Sequence, residues 1–415
     1  MSGTLPNPAR AARESLSAEP AENGAAETAP RIAIVSRRLW PLAGEAERDV
    51  LRLATELQEQ GARPTLVTAR WQKEWSERTT LRGIPLTRLP WPATPGWGML
   101  RYLYSLSRFL RQNQTQFDGV VVQGLRAEAY AALISLGAKG PPIVLRATEA
   151  GDYGEVAWQR QARFGGRIAA KCQQAEAIVA ASSFVAAELQ AANYSADKLH
   201  VFPPLASQEH LPRSEEERES ARKALVNVNH DLHVVGGAPI AVCILPLQRD
   251  RGLENVVRSW IPIQQRWPHA RLWILGDGPD REPLFRLICD LDLRYRVVIP
   301  GAFDYWEDLL AAADMLIAPA PQPSTSTVLR EGLAAGMAVI ASDQPEHRQL
   351  ITPEKNGLLY ATAERGSLSQ CISRLIENED LRKGLGDAAK ASYARQETSE
   401  SHWLRTWFAT RRLRK

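Results

Sequence analysis

The sequence is 415 residues long, with 44% hydrophobic residues, 24% charged residues and a formal net charge of +4. One hydrophobic core rarely supports a chain of this length, so we expect two domains. The net charge is small and its signs are interspersed, which argues against nucleic acid as the partner.

Residues 1–30 are rich in Ala, Glu and Pro and lack the apolar core of a signal peptide, which predicts a disordered leader. No stretch approaches the ~20 apolar residues of a membrane span, so we expect a soluble or peripheral protein. Isolated cysteines without metal-ligand spacing indicate reduced core residues and a cytoplasmic location, and they are Cys172, Cys243, Cys289 and Cys371.

Short apolar runs alternate with helical patterns in the first half of the chain. Strands are predicted at 31–36, 64–68, 119–122, 142–145 and 177–180. This alternation is typical of a doubly wound parallel sheet. We place a first domain at residues 31–205.

The helix predicted at 96–111 is basic and rich in aromatic residues. Such a helix can lie in a membrane interface near a lipid-linked acceptor. The interpretation that we favour is packing into the core, with the arginines extending outward.

The same alternation resumes after a charged linker at 206–236. Strands are predicted at 239–245, 271–275, 296–299, 315–318 and 338–341, within a second domain at 237–392. Residues 393–415 end in a helix with an apolar side formed by Trp403, Leu404, Trp407 and Phe408. The fold class is therefore α/β, with two Rossmann-like, doubly wound parallel-sheet domains in tandem.

Residues 315–343 combine a strand, a loop of hydroxyl residues, a helix, a Gly turn and a second strand. This layout suits a sugar-nucleotide donor, because amides at a helix N-terminus attract a diphosphate. Glu331, one turn into the helix, could bind ribose hydroxyls. The candidate diphosphate contacts are Ser324, Thr325, Ser326 and Thr327.

The run Glu-Gly-Leu-Ala-Ala-Gly-Met-Ala-Val at 331–339 resembles the second half of the donor-site signature of family 4 retaining glycosyltransferases, which have the GT-B fold. Pro323 stands where that signature has its first Glu. The resemblance implies two domains facing across a cleft, a terminal helix that crosses back to the first domain, and transfer with retention. It also implies a glycan or lipid-linked acceptor. It does not imply a metal or another cofactor.

Residues 38–48 resemble the Gly-Gly-Ala-Glu loop of the same enzymes, with Gly44 as the first Gly and Glu45 in place of the second. A carboxylate there suits the dipole of the helix that follows. It would also repel a phosphate that needs the same amides. A capping role and a donor-facing role both remain open.

The resemblance also covers residues 246–253, where family members use an Arg and a Lys to clamp the diphosphate. Here Pro246 stands at the Arg position, Arg251 at the Lys position, and Arg249 is a candidate substitute. Such cations neutralise charge that develops on the leaving group. Two solvated arginines in a loop are the alternative.

Gly276 and Gly278 resemble the family's Gly-x-Gly-Pro turn, whose glycines let the backbone approach the donor, and Phe303 resembles a residue lining the base pocket. The family's first-domain histidine has no counterpart, because the first histidine is His200.

The loop at 145–158 occupies the equivalent strand end, where open α/β sheets bind ligands. Its candidate catalytic carboxylates are Glu149 and Asp152, with Glu155 nearby, and Arg146 could orient them or a substrate anion. A polar surface loop is the alternative.

These observations leave three alternative functions. The first is a glycosyltransferase acting on a nucleotide-sugar donor, which we favour. The second is a catalytically impaired relative that binds nucleotide or acts as a scaffold, given the departures at Pro323, Pro246 and Glu45 and the missing histidine. The third is a sugar-nucleotide epimerase or hydrolase. Peripheral contact with the inner membrane face is left open.

Overall fold

The computed structural model describes residues 29–42, 44–91, 97–203, 215–248, 251–303, 307–319, 327–393 and 399–412. These residues form two mainly parallel sheets with helices on both faces. The expected fold class is confirmed. Apolar clusters lie on each face of each sheet, which gives each half of the molecule its own core.

The first sheet has eight strands in the order β3-β4-β2-β1-β5-β6-β7-β8. Only the pair β3 and β4 is antiparallel. The strands are β1 (Arg31–Val35), β2 (Arg63–Arg70), β3 (Arg78–Leu81), β4 (Ile84–Pro90), β5 (Gly119–Gln123), β6 (Ile143–Ala147), β7 (Ala177–Ala180) and β8 (Leu199–Val201).

The second sheet has six strands in the order β11-β10-β9-β12-β13-β14, and all of its pairs are parallel. Its strands are β9 (Ile240–Ile244), β10 (Arg271–Leu275), β11 (Val297–Gly301), β12 (Met315–Ala318), β13 (Ala338–Ser342) and β14 (Leu358–Tyr360).

Helices connect the strands and cover both sheets. Those of the first half are α1 (Glu45–Glu59), α2 (Trp97–Gln112), α3 (Ala127–Leu136), α4 (Glu155–Gln161), α5 (Gly165–Cys172) and α6 (Ser183–Ala191). Those that follow are α7 (Glu215–Val228), α8 (Leu253–Arg266), α9 (Arg281–Asp290), α10 (Glu307–Ala312), α11 (Thr327–Ala334), α12 (Pro345–Leu350), α13 (Ser367–Glu377), α14 (Glu379–Tyr393) and α15 (Glu400–Arg412).

The ten predicted strands are all present, and four more were not predicted. Strands β3 and β4 form a hairpin whose turn residues, Arg82 and Gly83, both have positive φ angles of 52° and 78°. Positive φ at both turn positions matches the twist of a two-residue hairpin. Strands β8 and β14 have three residues each, too short for a periodic pattern.

Helix α2 has one buried face and one exposed face. Tyr102, Leu106 and Leu110 are fully buried in the core of the first half, as the favoured interpretation required. Trp97 and Tyr104, however, are 70% and 67% exposed. Only some of the apolar and aromatic residues of α2 therefore pack into the core.

Helix α15 lies against the first sheet, far in sequence from the rest of that half. Leu404 and Phe408 are fully buried in the cluster formed with β1, β2 and α1. A Cβ atom on Gly119 of β5 would lie 2.1 Å from the Phe408 ring, so this close packing needs glycine. The end of the chain thus completes the core of the first half.

Candidate active site

A cleft of about 760 Å³ lies between the two halves at the carboxyl ends of their strands. Open α/β sheets bind ligands at this edge. The first half contributes residues from the loop before α1, from α1 and from the loop after β6, and the second half contributes residues after β9, β10, β11 and at the start of α11. The residues that carry the argument are Arg38, Gly44, Glu45, Glu149, Arg251 and Thr327.

The loop before α1 is held by a contact within itself. Arg38 Nε donates to Glu47 Oε1 over 2.7 Å. Gly44 precedes α1, and a Cβ atom on it would lie 2.2 Å from Glu47 Oε2. A larger residue at position 44 would have to displace the Glu47 carboxylate, and Gly44 also lines the cleft.

Glu45 reaches from the first half to the second. Its carboxylate accepts a hydrogen bond from the backbone N–H of Thr327, where α11 begins in the described chain. Glu45 does not cap its own helix, since α1 has no side-chain cap. The helix end that was predicted to face a diphosphate is bound by a carboxylate of the protein itself.

The pKa of Glu45 is raised to about 7. Burial between the halves is the main cause, and the charges of Glu149 and Glu331 raise it further. The hydrogen bonds with Thr327 oppose this rise. Glu45 therefore titrates close to neutral pH, unlike an ordinary glutamate.

Arg48 also contacts the second half. Its Nη2 atom lies 2.6 Å from Glu307 Oε1 and 4.0 Å from Glu331 Oε1. Glu331 is buried in α11 and is not among the residues that line the cleft. The residue predicted to bind ribose thus faces an arginine of the first half in this structure.

Arg251 is the cation of the second half that approaches the first half. Its Nη2 atom lies 3.7 Å from Glu149 Oε1, and its guanidinium carbon lies 4.2 Å from the centre of the Tyr153 ring. Arg251 Nε is buried and has no hydrogen-bond acceptor among the described residues. One donor of this guanidinium is therefore unpaired, in a residue that lines the cleft.

Glu149 has a raised pKa, chiefly because it is desolvated; Arg251 lowers it and Glu155 raises it. The other carboxylates of this loop lie elsewhere. Asp152 is exposed and does not line the cleft. Glu155 is buried, and its Oε2 atom accepts from Leu125 N at 3.1 Å and Arg126 Nε at 3.0 Å. Of the three, the cleft contains Glu149.

Arg146 does not orient the loop carboxylates, and that prediction is wrong. Its guanidinium lies between Asp49 and Glu400, with Nη2 2.9 Å from Asp49 Oδ2 and Nε 2.6 Å from Glu400 Oε1. All three residues are buried. A charge in the middle of a buried strand needs such partners, because desolvation of an unpaired ion is costly.

The glycine turn after β10 is shaped by the protein itself. Gly276 has a φ angle of 146°, and a Cβ atom on it would lie 2.0 Å from Leu245 O. A Cβ atom on Gly278 would lie 2.2 Å from Leu247 O. Both glycines and Phe303 line the cleft, so the turn and the aromatic ring lie where a donor is expected.

Several predicted contacts lie outside the described residues: Arg249, Ser324, Thr325 and Ser326, together with Pro323. Pro246 does line the cleft.

Arg48 was not predicted, although the sequence contains a signal for it. A cation in the first turn of a helix is unfavourable to the helix dipole, so such an arginine needs acidic partners elsewhere.

Among the described residues, no group of three or more His, Cys, Asp or Glu side chains could hold a metal ion. In the same part of the chain, every helix is too short or too polar to cross a bilayer. All four cysteines are free, and only Cys289 is exposed.

Two glycosyltransferase family models match this chain. The model described as "Glycosyl transferase 4-like domain" matches residues 44–204, and the one described as "Glycosyl transferases group 1" matches residues 238–378. Together they cover more than half of the chain. One match contains Glu45 and Glu149, and the other contains Arg251 and Glu331.

Curated relatives of this chain include enzymes of glycan biosynthesis. The N-acetyl-alpha-D-glucosaminyl L-malate synthase of Bacillus anthracis is 23% identical over 185 residues, 45% of this chain and 48% of that protein. The lipopolysaccharide core biosynthesis glycosyltransferase LpsE of Rhizobium meliloti is 26% identical over 164 residues, 40% of this chain and 47% of that protein. The chain spans about half the length of these curated relatives.

Among solved structures, Anabaena Alr3699/HepE in complex with UDP and glucose has a TM-score of 0.71 at 17% identity, over 93% of this chain and 100% of that chain. This likeness concerns the fold.

The two facing sheets and the cleft between them define a two-domain α/β protein of the GT-B type. With the two family matches, the chain belongs to the group 1 glycosyltransferases. It is therefore a member of an enzyme family, and the expected resemblance is confirmed.

Proposed function

We propose that this chain transfers a sugar from a nucleotide-sugar donor to a glycan or lipid-linked acceptor, with retention of configuration. The observation that carries the proposal is the approach of Arg251 and Glu149, 3.7 Å apart, in a cleft between the two halves. A relative of the same fold was solved with UDP and glucose, and the name of another refers to lipopolysaccharide core biosynthesis.

We assign to Arg251 the role of stabilising the leaving group. A guanidinium in a partly dry site stabilises charge that develops on a departing diphosphate, and this is commonly the largest catalytic contribution. Arg251 lines the cleft, and an arginine binds phosphate in a two-point geometry. Arg249 and the residues Ser324 to Thr327 remain proposed donor contacts by resemblance.

We assign to Glu149 the role of general base for the acceptor hydroxyl. Its raised pKa lets it accept a proton from an acceptor hydroxyl at neutral pH more readily than an ordinary carboxylate would. Asp152 is retained as a weaker candidate, because it is exposed and does not line the cleft. We propose no metal and no other cofactor, so activity is expected to persist in EDTA.

The location that we propose is cytoplasmic, with peripheral contact at the inner membrane face. Support comes from the exposed face of α2, which carries Trp97, Leu100 and Tyr104 beside Arg101 and Arg108. Aromatic rings beside basic residues suit the headgroup region of an anionic bilayer.

A donor panel tests the proposal. The full chain is screened against UDP-, GDP- and ADP-sugars by thermal shift, and each hit is assayed for donor hydrolysis and for the anomeric form of the product by NMR. One nucleotide series is expected to raise the melting temperature and to be turned over. Binding without turnover would indicate the catalytically impaired relative, and no binding in any series would contradict the proposal.

A further inference from the structure

The contact between Glu45 and Thr327 lies where a donor diphosphate is expected, and this has a consequence for binding. The free N–H groups at a helix N-terminus attract anions, whether carboxylate or phosphate. One such group, Thr327 N–H, already donates to Glu45. A phosphate oxygen and the Glu45 carboxylate cannot occupy the same donor together.

The neighbouring contact restrains the second predicted donor ligand. Arg48 lies one turn along α1 from Glu45, and its guanidinium is 4.0 Å from the Glu331 carboxylate. Its stronger partner is Glu307 of α10, at 2.6 Å. One turn of α1 thus contacts both the start of α11 and the acidic residue one turn further on.

The charges around Glu45 make this contact easy to displace. Glu149 from the loop after β6 and Glu331 from α11 both raise the pKa of Glu45, which means that they repel its carboxylate. Arg48 is occupied by Glu307 and Glu331. An ionised Glu45 is therefore held by hydrogen bonds from Thr327 against two like charges.

We propose that Glu45 is a built-in competitor of the donor: its carboxylate occupies the phosphate position at α11 and must leave before a sugar diphosphate binds. The inference rests on the proposed function, since it concerns the same donor site. It assigns the Glu at the second Gly position of the loop a role in setting donor affinity.

Isothermal titration with UDP, GDP and ADP tests the inference at pH 8. The variants are Glu45→Ala and Glu45→Gly, which remove the acceptor of the Thr327 N–H group. The control is Glu59→Gln, which removes a charge from the exposed end of α1. Charges at helix ends contribute about 0.3 to 2 kcal/mol. Both Glu45 variants should bind the preferred nucleotide about twofold to thirtyfold more tightly than the wild type, and Glu59→Gln should match the wild type.

Equal or weaker binding by the Glu45 variants would overturn the inference, while nucleotide binding by the wild type would leave the proposed function standing. If no variant binds any of the three nucleotides, the proposed function fails instead. In that case, small-angle X-ray scattering tests the contact of Glu45 and Arg48 with the second half. The double variant Glu45→Ala/Arg48→Ala should have a larger radius of gyration than the wild type, and an unchanged radius would overturn the inference.

Discussion

Arg146 and Glu400 form a two-point contact although they lie 254 positions apart in sequence: Arg146 Nε is 2.6 Å from Glu400 Oε1, and Nη2 is 2.7 Å from Oε2. The guanidinium also bonds Gln123 and Asp49. Burial by itself would raise the pKa of Asp49, but Arg146 and Arg52 hold it below its ordinary value. This buried network fastens α15 to β6 and α1.

Replacing Glu400 should therefore destabilise the first half strongly. Glu400→Ala leaves the buried Arg146 only partly compensated, and breaking a buried ion pair costs about 3 to 5 kcal/mol. The measurement is urea unfolding followed by tryptophan fluorescence. The control, Glu354→Ala, removes the exposed pair with Arg374 and should cost at most about 1 kcal/mol. Equal losses in the two variants would contradict the assignment.

Stability should depend on pH through Glu45. Its pKa is about 7 in the folded protein and 4.5 ordinarily, so between these values the folded state keeps a proton that the unfolded state has released. Glu45 therefore costs stability as the pH rises from about 4.5 to 7. Relative to the wild type, Glu45→Gln should gain about 2 kcal/mol of unfolding free energy between pH 5 and pH 8. A constant difference across this range would show that Glu45 is not desolvated.

Glu331 is expected to contact the donor once Arg48 is displaced. Glu331→Ala should weaken nucleotide binding by about 1.5 to 3 kcal/mol, the contribution of a charged hydrogen bond. Glu307→Ala is the comparison, because it loosens Arg48 without removing the proposed ribose ligand. Titration calorimetry separates the two. A similar effect of both variants would mean that Glu331 acts only through Arg48.

Arg251→Ala should act mainly on the rate of transfer. Loss of one group that stabilises the leaving group lowers kcat by about 10²-fold. Arg258 lies in the adjacent helix α8, where it is exposed and paired with Glu254. The control variant Arg258→Ala should therefore leave kcat unchanged. Steady-state kinetics with the preferred donor decides this. A normal rate in a normally folded Arg251→Ala protein would exclude Arg251 as the clamp.

The exposed face of α2 predicts binding to anionic membranes. Wild-type protein should sediment with phosphatidylglycerol vesicles and not with phosphatidylcholine vesicles. The double variant Trp97→Ser/Tyr104→Ser should lose most of this binding, because both side chains are exposed. Tyr295→Ser removes an exposed ring of the second half and should behave as the wild type. Equal sedimentation of all three proteins would refute a membrane role for α2.

Ten of the parallel strands were predictable because they are short, largely apolar and mostly buried runs. Strands β3 and β4 were not, since β3 (Arg78–Leu81) is an edge strand without an apolar face and β4 (Ile84–Pro90) contains two prolines. Strand β4 lies between β3 and β2, and its prolines are its second and last residues, so the apolar run that marks an inner strand is interrupted.

The site was predictable in its parts and not in its contacts. Local sequence placed Glu45 at the start of a helix and Arg251 in a loop, and the structure brings them to one cleft. That Glu45 would bond Thr327, 282 positions away, depends on how the halves approach each other. Arg146 did carry a signal, because an arginine inside the buried run 143–147 requires partners, but the sequence does not say which ones.

The attachment of α15 has a practical consequence for dissecting the protein. A cut between residues 203 and 215 would separate the first sheet from the helix that supplies Leu404, Phe408 and Glu400 to its core. An isolated amino-terminal fragment would expose an apolar groove and an uncompensated cation. Because the first half is assembled from discontinuous sequence, a soluble amino-terminal fragment would need residues 399–412 grafted back onto it.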